Sequence, residues 1–480
     1  MKSEIIVGRE KEIKNLEDAL RSDESELISV VGRRRVGKTF LVQSVYANKI
    51  DFEITGIQNA TKREQLENFT IALNLYAKPD LPIGEPTSWL KAFQLLILYL
   101  EKKKKSRNSK RVVFFDELPW LSTHRSGFLK AFGFFWNSWA VKNNTVVVIC
   151  GSAASWMIKK VVQNKGGLYN RITKRIRLQP FTLREAALFL KKRGHQLDHY
   201  QVVELYMIIG GIPHYLKQIE RGQSIAQNID RMCFDLANGV LYNEFEQLYP
   251  SLFEHSEKHI AIVRALSSSK KGLSRKQIIK STNITNGGGL TNTLDELVYS
   301  NFISEYFPFG KRKKDKLYRL TDEYSLFYLK FIERYKKEGA GVWERFQQTP
   351  TYRSWSGYAF ENICLKHISE IKIALGIQGI FSTHASFYHS GTQDMSGCQI
   401  DLLIDRSDKT INLCEIKFSN NEFIISKSYA KALREKVALF KYYSETKKQI
   451  FLTFISTFGL FNNEYSRSVV GKELVLQDLF

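Results

Sequence analysis

Three sets of residues have types and spacings suited to chemistry. In the stretch VVGRRRVGKTFL (Val30–Leu41), the pattern G-x-x-x-x-G-K-[ST] sets Gly32 and Gly37 where the backbone can curl and aim its N–H groups at phosphate oxygens. Lys38 is expected to reach the β- and γ-phosphates of ATP, and the Thr39 hydroxyl to ligate Mg2+. Arg33, Arg34, Arg35, Val36 and Phe40 complete the expected binding loop. The second set is Asp116 and Glu117, which end the apolar run of RVVFFDELPWL (Arg111–Leu121). Asp116 would hold the magnesium through water, and Glu117 would polarise the attacking water. A strand capped by a surface acidic pair is the plainer alternative. The third set is C-terminal: Glu361 in WSGYAFENICLKHI, Asp401 in CQIDLLIDR, and Glu415 with Lys417 in TINLCEIKFS. Carboxylates holding Mg2+ or Mn2+, with a lysine acting on the phosphate, are what metal-assisted phosphodiester hydrolysis requires.

Each set needs elements to position it. ELISVV (Glu26–Val31) has the composition of a buried strand and KTFLVQSVYA (Lys38–Ala47) has helical spacing, so the glycine loop joins a strand to a helix N-terminus. TVVVICGSA (Thr145–Ala153) is a third apolar strand, ending near Ser152. GGLYNRITKRIRLQPF (Gly166–Phe181) reads as a loop and then a strand. Arg171 stands just before that strand, where it could report on the γ-phosphate or serve as an exposed structural arginine, with Arg175 and Arg177 as rivals.

Beyond Phe181 the pattern is helical to about Ser251, and then changes. His259–Asp322 reads as three helices followed by two strands, FISEYF and KLYRL, joined by a basic turn, which is the order of a winged helix-turn-helix. Thr291 and Asn292 would open its third helix, and Lys311, Arg312, Lys313 and Lys314 at the tip suit phosphate contact. A module that docks protein is the alternative. A second basic run, Glu101–Arg111, reads as a solvated loop, and YKKEGAGVWERFQQTP (Tyr335–Pro350) as a linker. In the C-terminal part, Asp401 and Glu415 can lie on paired strands, with Lys417 on the same face as Glu415.

With 71 Lys and Arg against 49 Asp and Glu, the net charge is +22, which favours a polyanionic partner, DNA above others. The five cysteines include no C-x-x-C pair and read as reduced, buried thiols. No apolar run approaches the ~20 residues of a membrane span, so a cytoplasmic protein with no membrane partner is expected.

The ordered motifs VGREKEIKNL, GRRRVGKT, FFDELPWL, CGSAASWM and GGIPHYL resemble the archaeal-type P-loop ATPases, a branch close to the AAA+ and STAND groups. The resemblance implies an α/β fold, a parallel sheet with helices on both faces, followed by a helical lid. It places Gly8, Arg9 and Glu10 beside the adenine, Ser152 near the γ-phosphate, Arg171 as the finger, and Gly211 and Pro213 in a lid turn that feels the nucleotide. The pattern D-x(13)-E-x-K resembles the PD-(D/E)xK superfamily, which implies a C-terminal α/β restriction-endonuclease-like domain with Glu361 as the acid of its first helix. A nuclease-like fold kept for binding is the alternative there. The expected domains are 1–180, the ATPase core; 181–250, the lid; 251–335, the winged helix; and 350–480, the nuclease-like domain. The function expected is ATP hydrolysis coupled to DNA and to a metal-dependent nuclease-like domain, in defence against mobile DNA or in repair. The alternative is a nucleotide-controlled switch that binds a protein partner or DNA and cuts nothing. An oligomer is compatible with either.

Overall fold

Four runs rich in apolar residues and one basic segment become one sheet: β1 (Glu26–Val31), β2 (Ile50–Thr55), β3 (Arg111–Asp116), β4 (Thr145–Gly151) and the basic β5 (Lys174–Arg177). The computed structural model describes residues 6–106, 109–152, 154–157, 170–253, 255–311, 315–339, 341–393 and 395–480. Their contacts divide the chain into two units, Met1–Pro180 and Phe181–Phe480.

In the first unit the strand order is β2-β3-β4-β1-β5, with every neighbouring pair parallel. Parallel strands persist where helices cover both faces, and β1 and β4 are accordingly buried along their whole length. One face is sealed by an aromatic cluster in which Phe93 of helix Trp89–Lys102 and Phe128, Phe132 and Phe135 of helix Phe128–Ser138 surround Phe115 of β3. Because β4 is inserted between β1 and β3, the C-terminal ends of these three strands lie side by side, the position where α/β sheets take ligands. The basic run after Lys102 is not a free loop. The buried Asp51 carboxylate accepts from the Val112 N–H at 2.8 Å and pairs with Lys103 at 2.8 Å and with Lys105, while Arg111 donates to the Leu100 carbonyl at 3.0 Å. A buried carboxylate needs such partners, and that need overrides the solvated-loop reading.

The second unit begins with helices Leu183–Lys192, His199–Ile209 and Ile225–Cys233, each opened by a capping box at Thr182, Asp198 and Ser224. Helices Ser256–Ser267, Arg275–Thr282 and Gly288–Tyr299 follow, the last burying Leu290, Leu294 and Leu297. With them goes a small antiparallel sheet of order β6-β8-β7, built from β6 (Leu273–Ser274), β7 (Ile303–Tyr306) and β8 (Leu317–Leu320). The C-terminal sheet has the order β13-β12-β11-β10-β9. Its strands are β9 (Ser382–His389), β10 (Cys398–Arg406), β11 (Thr410–Lys417), β12 (Gln449–Ser456) and β13 (Lys472–Leu474). The first three run antiparallel, and β11, β12 and β13 run parallel. The loop after β7 reaches this sheet, where Phe309 N–H donates to the Ser386 carbonyl at 2.8 Å and the Phe309 ring meets Phe440 at 5.6 Å.

The stretch read as a linker is part of this unit's core. Helix Val342–Phe346 buries Val342 and Trp343 completely. Trp343 N–H donates to Asp230 at 2.8 Å, and its ring lies edge-on to Phe327, Phe331 and Trp355. The glycines mark turns, and the tryptophan decides the packing. All five cysteines are free and buried. Among the described residues, no helix is long and apolar enough to cross a membrane.

Candidate functional site

The glycine loop closes at the strand-to-helix junction. Gly37 caps the helix Lys38–Val45 with φ 91°, in the left-handed region that glycine favours. Gly32 is required by a close approach, since a Cβ there would stand 2.4 Å from the Leu178 carbonyl oxygen. Arg35 also has positive φ (72°), and Arg33 and Val36 are buried while Phe40 is exposed. Lys38 is buried and donates its ammonium to the Arg33 carbonyl at 3.1 Å, so the charge is held against the loop.

Thr39 Oγ1 donates to Asp116 Oδ2 at 2.7 Å, joining the helix after β1 to the end of β3. Burial pushes the Asp116 carboxyl up, and the Thr39 hydrogen bond opposes that shift. A hydroxyl and a carboxylate at this separation, beside a buried lysine and a helix N-terminus, are a donor set for a hard cation bound with phosphate. Glu117 adopts φ 45°, uncommon for a non-glycine residue, and this turn aims its carboxylate at β4. There Oε2 accepts from both the backbone N–H (3.0 Å) and the hydroxyl (2.8 Å) of Ser152. The structure thus brings Lys38, Thr39, Asp116, Glu117 and Ser152 together.

At the N-terminal side, Gly8 has φ 64°, and Arg9, buried, caps helix Glu10–Arg21 with φ 67° and donates to the Gln179 carbonyl at 2.6 Å. Arg171 is exposed in a turn just before the outer strand β5, and Arg175 and Arg177 are exposed on that strand. In the second unit, Pro213 starts the short helix Pro213–Leu216. A Cβ on Gly211 would stand 2.0 Å from the Phe181 carbonyl oxygen.

The C-terminal residues are positioned by helix Pro350–Lys366, β10 and β11. Register pairs Leu402 with Cys414, so Asp401 and Glu415 follow at neighbouring positions of the antiparallel pair. A shift in the β9–β10 register falls between Ile400 and Leu403, at Asp401, and such bulges re-aim side chains. Both carboxylate oxygens of Glu415 have partners. Its Oε1 pairs with Lys417 at 2.9 Å and accepts from the Tyr429 hydroxyl at 2.7 Å, while Oε2 pairs with Lys436 at 2.6 Å. Burial alone would push Glu415 up, but Lys436 and Lys417 hold it down to about 2. Burial pushes Glu361 up to about 7, Asp401 adds in the same direction, and Arg319 opposes. Asp401 accepts from the Gln399 amide at 2.9 Å.

Among the described residues, no three acids, histidines or cysteines come together as a metal-binding group. In this arrangement Glu361 has Arg319 as its counter-charge, and Glu415 has Lys417 and Lys436. Arg319, Lys436 and Tyr429 were missed in the sequence; Lys436 and Tyr429 lie on the helix Lys427–Ser444. Of the basic tip, Lys311 is described, and Arg312, Lys313 and Lys314 lie outside the described residues.

Residues 6–219 match the family described as an ATPase domain predominantly from Archaea. The class of this segment is thus an archaeal-type ATPase domain. The chain is similar to an uncharacterized protein of Methanocaldococcus jannaschii, 24% identical over 424 residues, covering 87% of this chain and 88% of that one. That likeness extends well beyond the ATPase match into the second unit. Among solved structures, it is similar to a Walker-type ATPase of Pyrococcus abyssi, with a TM-score of 0.50 at 19% identity, over 68% of this chain and 96% of that one.

Proposed function

We propose that this protein hydrolyses ATP with magnesium and engages DNA, and that its C-terminal part is a nuclease-like domain. The observation that carries the first part is the Thr39–Asp116 contact, with Lys38 on one side and Glu117 on the other. Thr39 and Asp116 would hold the magnesium, Lys38 the β- and γ-phosphates, and Glu117 would orient water once Ser152 yields it. Gly8 and Arg9 would flank the adenine. Arg171, exposed before the outer strand, would serve the γ-phosphate held by a second copy in an oligomer. Pro213 would respond to the nucleotide state.

The DNA reading rests on the +22 charge and on the three helices and hairpin of residues 256–320, whose order is that of a winged helix. The nuclease-like reading rests on the order of helix, hairpin and parallel strand that carries Glu361, Asp401, Glu415 and Lys417. A second reading, nucleotide-controlled binding of DNA or protein without cleavage, is favoured by the three partners that occupy Glu415. Purified full-length protein, incubated with ATP and Mg2+ or Mn2+ and with plasmid or single-stranded DNA, separates them. Phosphate release stimulated by DNA together with strand scission supports the first reading. Phosphate release without scission supports the second, and no phosphate release removes both.

A further inference from the structure

Arg319 belongs to β8, in the small sheet that follows the three helices, yet its side chain ends among the C-terminal carboxylates. It is 6% exposed, with Nη2 at 3.4 Å from Glu361 Oε2. Its Nε donates to the Tyr358 hydroxyl at 3.2 Å, and the guanidinium lies 4.5 Å from the centre of the Tyr358 ring. Tyr358 and Glu361 are three residues apart on helix Pro350–Lys366, hence on one face of it. Asp401 acts on the same pair, raising the carboxyl of Glu361 and favouring the charged form of Arg319. A guanidinium and a divalent ion are both counter-charges to a carboxylate, and they exclude each other at close range. A buried arginine deprived of its carboxylate is also strongly disfavoured, so the contact holds both partners.

The strand that carries Arg319 is one arm of a hairpin. β8 pairs with β7, and the loop between them is fixed to β9 through Phe309 and Ser386. Lys311, on the same loop, follows Phe309 by two residues. A shift of the hairpin therefore carries Arg319 away from Glu361, and phosphates drawn to Lys311 would act on that hairpin.

We propose that Arg319 is a built-in cation of the C-terminal site: carried on the β7–β8 hairpin, it closes Glu361 and Asp401 to a divalent ion and opens them when the hairpin is drawn away. This rests on the nuclease-like reading of that site and adds its regulation. The test is thermal unfolding of the full, nucleotide-free chain during a titration with MnCl2 alone. Arg319→Gln should show a Mn2+-dependent rise in Tm at a metal concentration at least about fivefold lower than wild type needs. Arg319→Met, which keeps the stem packed on Tyr358, should do the same, and Arg319→Lys, which keeps the charge, should behave as wild type. Adding Asp401→Asn to Arg319→Gln should abolish the rise, which separates this site from Thr39 and Asp116. The same Mn2+ response in wild type, Arg319→Gln and Arg319→Met overturns the proposal. The underlying reading fails separately: a gained Mn2+ response with no DNA cleavage by any variant supports the latch and removes the nuclease. Cleavage by wild type with an unchanged Mn2+ response in Arg319→Gln removes the latch alone.

Discussion

Two neighbouring acids, Asp116 and Glu117, end up with different partners, and under the proposed ATPase reading this divides their work. Asp116 is bound to Thr39, whereas Glu117 turns through a left-handed backbone to Ser152. Lys38→Ala should accordingly lose nucleotide binding. Glu117→Gln should bind ATP as wild type does and hydrolyse it about 100-fold more slowly or less, since it lacks only the base. Calorimetry for binding and steady-state phosphate release check the pair, and equal ATP affinity in wild type and Lys38→Ala would remove the loop assignment. These residues were legible in the sequence because their spacing is local: a glycine loop and a strand-end acid announce themselves within a dozen positions. Arg319 was not legible. On a short strand it has the look of any solvated arginine, and its partner Glu361 stands 42 residues away. Lys436 was equally hidden, since one lysine in a lysine-rich helix carries no sign that it faces Glu415.

At the level of elements, most strands and helices could be read from apolar period, but the joints between them could not. The helix Leu183–Lys192 shows why. Its first N–H, that of Leu183, has no partner within the helix, and His367 Nε2 accepts it at 3.1 Å from 184 residues away. His367 Nδ1 donates to the Ile363 carbonyl at 2.8 Å, so this geometry needs the neutral ring, and burial pushes the imidazole below its ordinary value. The sign follows from where the proton goes. As pH falls through about 6.5 the unfolded chain takes up a proton that the folded chain refuses. His367 thus favours folding above that pH, and the contribution fades below it, by at most about 1.4 kcal/mol per pH unit. Wild type should lose stability relative to His367→Gln between pH 7.5 and pH 5, as followed by denaturant unfolding; parallel pH profiles would disprove the assignment. The 335–350 segment was misread for a related reason. Its glycines signalled a break, while the buried contacts of Trp343 with Asp230 and three distant rings lie outside any local window.

For the molecule as a whole, the proposed engagement of DNA by a chain with an excess of 22 positive charges should weaken steeply with salt. Neutralising Lys311, Arg312, Lys313 and Lys314 together should reduce the slope of log affinity against log salt by up to roughly 4 × 0.9. Fluorescence anisotropy with duplex DNA over a salt series measures it, and an unchanged slope means that the tip takes no part. The bond from Phe309 to Ser386 has a different kind of consequence. β9 is an outer strand, and this loop covers part of its open row of backbone groups. Cut the chain after the hairpin, at the glycine-rich stretch where a boundary looks natural, and that row is bared along with Glu361. Bare strand edges pair with one another, so such a fragment is a recipe for insoluble protein. The shortest piece of the C-terminal half worth expressing begins before Ser256 and takes the hairpin with it.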